Sequence, residues 1–274
     1  MKISSILLYT LLSSSGICHG QSDTIYLPNE KLIVNIKEVV QDAVTFTYPN
    51  ESIKNTIFKN AIQKVVFSSG RVQIFSEATN FKNVKEIADW DLVSISQVER
   101  EVKGLYKLGD VSAKAKGATT FTGMERIKER AFKKLKIQAT MYGGNIIYMT
   151  QLNSAGAQVG YWSSKGAETS LSGVVYSNTI PEHRNFEKLL AGKKTFQVKT
   201  KIIFPSNATG IVEGQLKGTF ELSKTVSDGK LFYVHGKLIK DKEMRFRVIR
   251  FDEETFTIVY EDKNTLYNYI VSFK

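Results

Sequence analysis

Histidine is the side chain best matched to acid–base chemistry near neutral pH. Beyond the first twenty residues this sequence holds two, His183 and His235. His183 stands in the polar stretch Pro181-Glu182-His183-Arg184; His235 alternates against Phe232, Val234 and Leu238 and should face solvent on a strand. No HExxH, no histidine pair at helical spacing and no aspartate-rich loop occurs, so zinc and calcium have no ligand set. No serine occupies a G-x-S-x-G elbow. Gly109, Gly117, Gly123, Gly143 and Gly144 punctuate turns and do not build a phosphate loop. Asp89 and Asp91 are two apart; on a strand they would share a face as a carboxylate pair, although a charged connector more simply solvates them. Cys18 is the only cysteine, so without it thiol catalysis, disulfides and thiolate metal sites are excluded together. The sequence therefore offers no catalytic residue, no cofactor motif and no metal site.

Charge offers more. Lys199, Lys201, Lys217, Lys237, Arg245 and Arg247 fall on the non-core side of alternating strands near the C-terminus. If those strands are neighbours, they form a basic face able to meet phosphates or carboxylates; otherwise they solvate the sheet and discourage edge pairing. The basic side of the helix near 122–142, with Arg126, Arg130, Lys133, Lys134 and Lys136, has an ordinary solvent face as its plainest reading. Aromatic residues alternate onto core faces, which denies a nucleic acid its stacking platform. Net charge is +11; in an exported chain the expected partner is an envelope protein, an acidic envelope polymer or an anionic lipid headgroup, and the plain alternative is a basic proteome or simple colloidal solubility.

Export is read from the first residues. Met1-Lys2, the apolar run Ile6–Leu12 and the small-residue exit Ser13–Gly20 are the parts of a signal peptide cleaved after Gly20. The run is too short to span a bilayer. Ile17, before Cys18, is a poor match to lipoprotein processing. The expected location is periplasmic, outer-membrane-associated or secreted.

The elements that must position these residues divide the chain. Residues 21–76 alternate as about five short strands: Leu32, Val34 and Ile36 share a face, as do Val44, Phe46 and Tyr48. A small β-barrel of SH3-like or Sm-like size fits them. Residues 77–104 read as a charged connector with an edge strand near Leu92–Ile95. Residues 105–178 read as β-α-β-β. A strand carries Val111, Ala113 and Ala115; the helix opens on a capping box, Thr122 to Glu125, and has Met124, Ile127, Ala131, Phe132, Leu135 and Ala139 in one arc. Gly143-Gly144 ends the helix, and Ile146–Met149 follows as a buried strand. A hairpin of Val159–Trp162 with Leu171–Tyr176 completes this unit, and parallel neighbours flanking the helix would give a right-handed crossover. Residues 186–274 read as pure strand, an antiparallel meander or small barrel of about six strands, with Phe196, Val198, Thr200, Ile202 and Phe204 on one face. The fold class is α+β and β-rich.

The stretch Gly109–Leu152, with Ala131 and Ala139 in the helix and Gly144-Asn145-Ile146 at the turn, resembles the middle domain of secreted Bacteroidetes proteins of unknown function. More distantly it is similar to the strand–helix–strand core of the stress-sensor lipoprotein RcsF and the YbjQ-like domains. The resemblance implies small residues that let the helix lie close to the sheet. It carries no catalytic residue, and the sensor's cysteines are missing. The functional expectation is an exported, non-enzymatic binding module. Its alternatives are a lipocalin-like carrier of an apolar ligand in the C-terminal domain and an unrecognised hydrolase. Fractionation with N-terminal sequencing checks the export reading: the mature chain should leave the cytosol and begin at Gln21.

Overall fold

Period-two alternation dominates the chain, and the computed structural model pairs it into several sheets. It describes residues 22–28, 30–75, 81–119, 122–159, 164–238 and 242–274. The leader of residues 1–20 and the Gly160–Trp162 part of the expected hairpin lie outside the described residues. No helix among the described residues is long and apolar enough to cross a membrane.

The first sheet holds β1 (Asp23–Tyr26), β2 (Lys31–Val39), β3 (Ala43–Thr47), β4 (Asn55–Phe58), β5 (Lys64–Val66) and β6 (Val72–Ile74), in the order β4-β3-β2-β1-β5-β6. β2 is shared: Lys31–Val34 pair with β1, and Asn35–Val39 pair with β3 across an irregularity between Ile36 and Glu38. The Asp23 carboxylate accepts from the Ile36 and Ser68 amides, both at 2.7 Å, and ties β2 to the β5–β6 turn. Ile25, Val34, Val44, Phe46, Ile62 and Val65 form the core, with Val34, Val44 and Phe46 on the faces the alternation assigned.

The connector is not a strand at its acidic centre. Ile87–Leu92 is a 3-10 turn, and Asp89 accepts from the amides of Lys85 and Glu86, so Asp89 and Asp91 do not share a sheet face. The middle sheet follows with β7 (Ser94–Ser96), α1 (Glu99–Val102), β8 (Tyr106–Lys116), α2 (Met124–Met141), β9 (Ile146–Ala155), the short pair β10 (Gln158–Val159) and β11 (Ser164–Lys165), and β12 (Glu168–Ser177). Its order is β7-β9-β12-β8. β8 and β9 are thus not neighbours: β12 lies between them, antiparallel to both, and only β7 runs parallel to β9. The expected hairpin is corrected accordingly, since Leu171–Tyr176 pair with β8 and β9. The helix arc is as read, with Ile127, Ala131, Leu135 and Ala139 buried on the sheet. Its capping box does not form. Gly123 is the N-cap, and the Thr122 hydroxyl accepts from Thr119 N instead.

The last ninety residues begin with a helix that the strand pattern hid, α3 (His183–Leu190), and continue as β13 (Thr195–Pro205), β14 (Val212–Asp228), β15 (Leu231–Leu238), β16 (Met244–Phe251), β17 (Thr255–Asp262) and β18 (Thr265–Ser272). Each strand pairs antiparallel with the next, and β18 returns to β13, so the six strands close into a ring. A ring this small is filled by its own side chains. Phe196, Phe220, Phe232, Phe246 and Phe256 occupy the interior. Phe186 of α3 reaches in to meet the rings of Phe232, Phe251, Phe256 and Phe273 at 5.2–5.9 Å.

The single face expected for Phe196 to Phe204 is broken by an irregularity between Val198 and Thr200. Phe196 and Val198 point into the ring, whereas Ile202 and Phe204 pack outside it with Ile137 and Met141 of α2. A bulge has this effect because one extra residue reverses the pleat. Replacing Phe186 by Ala should cost about 3–5 kcal/mol in denaturant unfolding, the range for emptying a packed aromatic site. Leu189→Ala, on the half-buried side of the same helix, should cost clearly less.

Candidate functional site

The site is built around the C-terminus of α2. A helix end leaves backbone carbonyls without intrahelical partners. Here Gly143, in the left-handed region at φ 75°, and Gly144 turn the chain so that their amides bond the carbonyls of Thr140 and Ala139 at 2.9 Å, a Schellman ending. Gly144 could be nothing larger, since a Cβ there would lie 2.1 Å from Val175 Cγ1. Two arginines of β16 add donors to this helix end and to the backbone beside it. Arg247 donates to Tyr142 O at 2.7 Å and to Leu108 O; Arg250 donates to Thr140 O at 3.1 Å and to Lys85 O. Positive charge at this end also complements the helix dipole. Burial pushes both guanidinium pKa values down, with the Asp89 and Glu86 carboxylates partly opposing the fall at Arg250. Tyr142 is pushed up, first by burial and then by its hydroxyl, which donates to Glu261 Oε2 at 2.6 Å.

This junction leaves a cleft of about 1150 Å³ among the three sheets, with Pro28 and Gln63 of the first sheet at its edge. Its apolar walls are mainly aliphatic, Ile180, Ile202, Ile249 and Ile270, with Phe81 and Phe251 also lining it, and its polar lining is rich in amides, Asn145, Asn178 and Asn268 among them. Asn145 Nδ2 donates to Asn178 Oδ1 at 2.7 Å, leaving Asn145 Oδ1 without a partner. Asn268 of β18 is 0% exposed, and neither its Oδ1 nor its Nδ2 finds a partner among the described residues. Buried amides are ordinarily satisfied, and leaving one unpaired costs about 1–3 kcal/mol. The exposed carboxylates at the edge are Glu86, Glu182, Glu213 and Asp252.

The six cations do not assemble as one free face. Arg247 is buried in the junction just described, which corrects its placement on a solvent-facing surface. Arg245 pairs with Asp228 at 2.9 Å and covers the Tyr233 ring; the Lys201 ammonium sits over Tyr267 and Tyr269. Lys237 stands opposite Glu221 on the neighbouring strand, and Lys199 adds a minor share to the lowering of the Asp252 and Glu254 pKa values, which hydrogen bonds from the Thr255 and Glu254 amides and from Lys274 mainly cause. Lys217 is exposed. The basic side of α2 is engaged as well. Lys134 is buried and donates to Lys114 O and Asn207 O, Lys136 donates to Asp91 O, and Lys133 covers the Trp90 ring. Its expected solvent face is therefore largely a contact face.

His183 opens α3 instead of lying in a bare linker. Its Nδ1 is 2.8 Å from Ser227 Oγ, its Nε2 is 3.2 Å from Glu187 Oε1 without hydrogen-bond alignment, and its ring packs on Phe232. The group fastens α3 to the rim of the ring. His235 is half-buried on β15. No group of three or more potential metal ligands occurs among the described residues.

Compared with family models, with curated proteins and with solved structures, the chain finds no match. The cleft's chemistry must therefore be read from its own residues. Sequence reasoning passed over Asn268, although one signal was present: it is the only amide in the closing strand and interrupts its central apolar run.

Two outcomes test the junction. Arg247→Met should lower stability by about 1–3 kcal/mol, because the Leu108 and Tyr142 carbonyls lose a charged donor, and should speed proteolysis between the middle sheet and the ring. Tyr142 has a folded pKa above its ordinary value of 10.0. Its contribution is thus full below pH 10 and lost as pH rises beyond it. In alkaline unfolding Tyr142→Phe should show a shallower fall in stability above pH 10 than the parent chain.

Proposed function

We propose that this chain is an exported, non-enzymatic binding module of the cell envelope or cell surface, and that it holds an envelope protein in the cleft between its three sheets. The leader pattern of residues 1–20 supports export. In this reading the modules are a small barrel of SH3-like or Sm-like size, a middle domain like those of the secreted Bacteroidetes proteins and RcsF, and a C-terminal ring that acts as a rigid wall. The observation that carries the proposal is Asn268, fully buried at the cleft with both ends of its amide unpaired. An unpaired amide that lowers stability is retained most simply because a ligand completes it. The acidic edge favours a protein partner over an anionic polymer.

The carrier reading draws no support from the ring, whose axis is occupied by phenylalanine side chains. The hydrolase reading has one specific observation behind it, the 2.8 Å contact of the exposed Ser227 hydroxyl with His183. Labelling by a fluorophosphonate that disappears in Ser227→Ala would favour hydrolysis; no labelling of the parent chain is the expected result.

For the binding reading, Asn268→Leu is the decisive variant. It should leave stability unchanged or raise it by up to about 1–3 kcal/mol, since a buried unpaired amide is removed. It should also lose partners that the parent chain retains from an envelope extract. Identical retention by both proteins would place binding elsewhere.

A further inference from the structure

Resting on the cleft as the binding site, we infer that its ligand is an extended peptide segment with aliphatic side chains flanked by lysine or arginine. Three properties of the cleft point to that chemistry. The deepest is the Asn268 amide, which presents one acceptor and one donor with no partner. A peptide unit presents the complementary pair, a C=O and an N–H, on each residue. Asn145 adds a second acceptor, Oδ1, for a further backbone N–H, while its own Nδ2 is held by Asn178.

The walls beside these amides are aliphatic, Ile202, Ile249 and Ile270 among them. Such walls take branched side chains, as pockets lined by apolar groups with a few placed polar ones do.

The edge sets the sign of the flanking charge. Four carboxylates, Glu86, Glu182, Glu213 and Asp252, stand there against Lys85 and Arg250. The Arg250 guanidinium is committed to the carbonyls of Lys85 and Thr140. Glu86, Glu182 and Glu213 have no salt bridge among the described residues. In a chain of net charge +11, an acidic edge around this cleft attracts a cationic segment and repels an anionic one.

The test uses the full mature chain and the fluorescent peptide Lys-Val-Thr-Ile-Lys, acetylated and amidated, beside the same core flanked by Glu and beside neutral mannose and glucose oligosaccharides. The Lys-flanked peptide should bind at least about tenfold tighter than the Glu-flanked one, weaken with added salt, and lose about tenfold in Asn268→Leu, the scale of a lost buried hydrogen bond. Glu86→Gln combined with Glu213→Gln should narrow the preference between the two peptides without abolishing binding. Glycan binding that disappears in Asn268→Leu, with no peptide binding, would overturn the peptide assignment and keep the cleft as the site. Equal binding of both peptides would overturn the charge argument. No probe binding, together with unchanged partner retention by Asn268→Leu in the extract, would overturn the binding reading itself.

Discussion

The relation of the ring to the middle sheet depends on one interaction, the capture of the α2 C-terminus by two guanidinium groups of β16. Arg247 and Arg250 reach carbonyls of Leu108, Tyr142, Thr140 and Lys85, which belong to three separate segments. Planar, multi-donor guanidinium suits this work better than a lysine ammonium, because each group must satisfy acceptors in two directions while dehydrated. Around these bonds Ile137 and Met141 of the helix pack on Ile202, Phe204, Ile249 and Leu266. The apolar contact supplies area and the arginines supply direction. Neither alone would hold the ring at one angle to the helix.

That arrangement requires the ring to be apolar on part of its outside. Bulges make this compatible with an ordinary alternating strand. The irregularity at Lys199 sends Phe196 and Val198 inward and Ile202 and Phe204 outward, and the one between Val248 and Arg250 lets Ile249 and Arg250 both face the junction. One inserted residue thus serves two cores from one strand. The same outer surface continues past the packed contact to form the wall of the cleft, so Asn268 is buried where the ring meets the neighbouring sheet.

The cleft is where the molecule departs from full satisfaction of its polar groups. The turn after α2, Gly144-Asn145-Ile146, is forced by close packing of Gly144 on Val175, and it delivers Asn145 to the cleft beside Asn178. A feature that in the sequence looks like helix punctuation is therefore also part of the candidate site. The cationic surface read from the strands disperses for a comparable reason. Lysine and arginine on a small β-structure meet neighbouring carboxylates, aromatic rings and backbone carbonyls before they meet a partner.

Periodicity by itself determined the strand-rich composition, the buried faces of the first sheet, the sheet-facing arc of α2 and the glycine ending of that helix, because each depends on residues close together in the chain. It could not determine that β12 separates β8 from β9, since strand order depends on pairings many residues apart. It missed α3, although Phe186, Leu189 and Leu190 stand at helical spacing on its buried side, because two turns beside a long run of strands are easily read as part of that run; and it assigned Arg247 and Lys134 to solvent because a polar residue opposite a core face ordinarily lies there. Only the tertiary structure supplied the second apolar surface that covers them. The same docking encloses Asn268 and creates the cleft, a property of three sheets together that no single segment encodes.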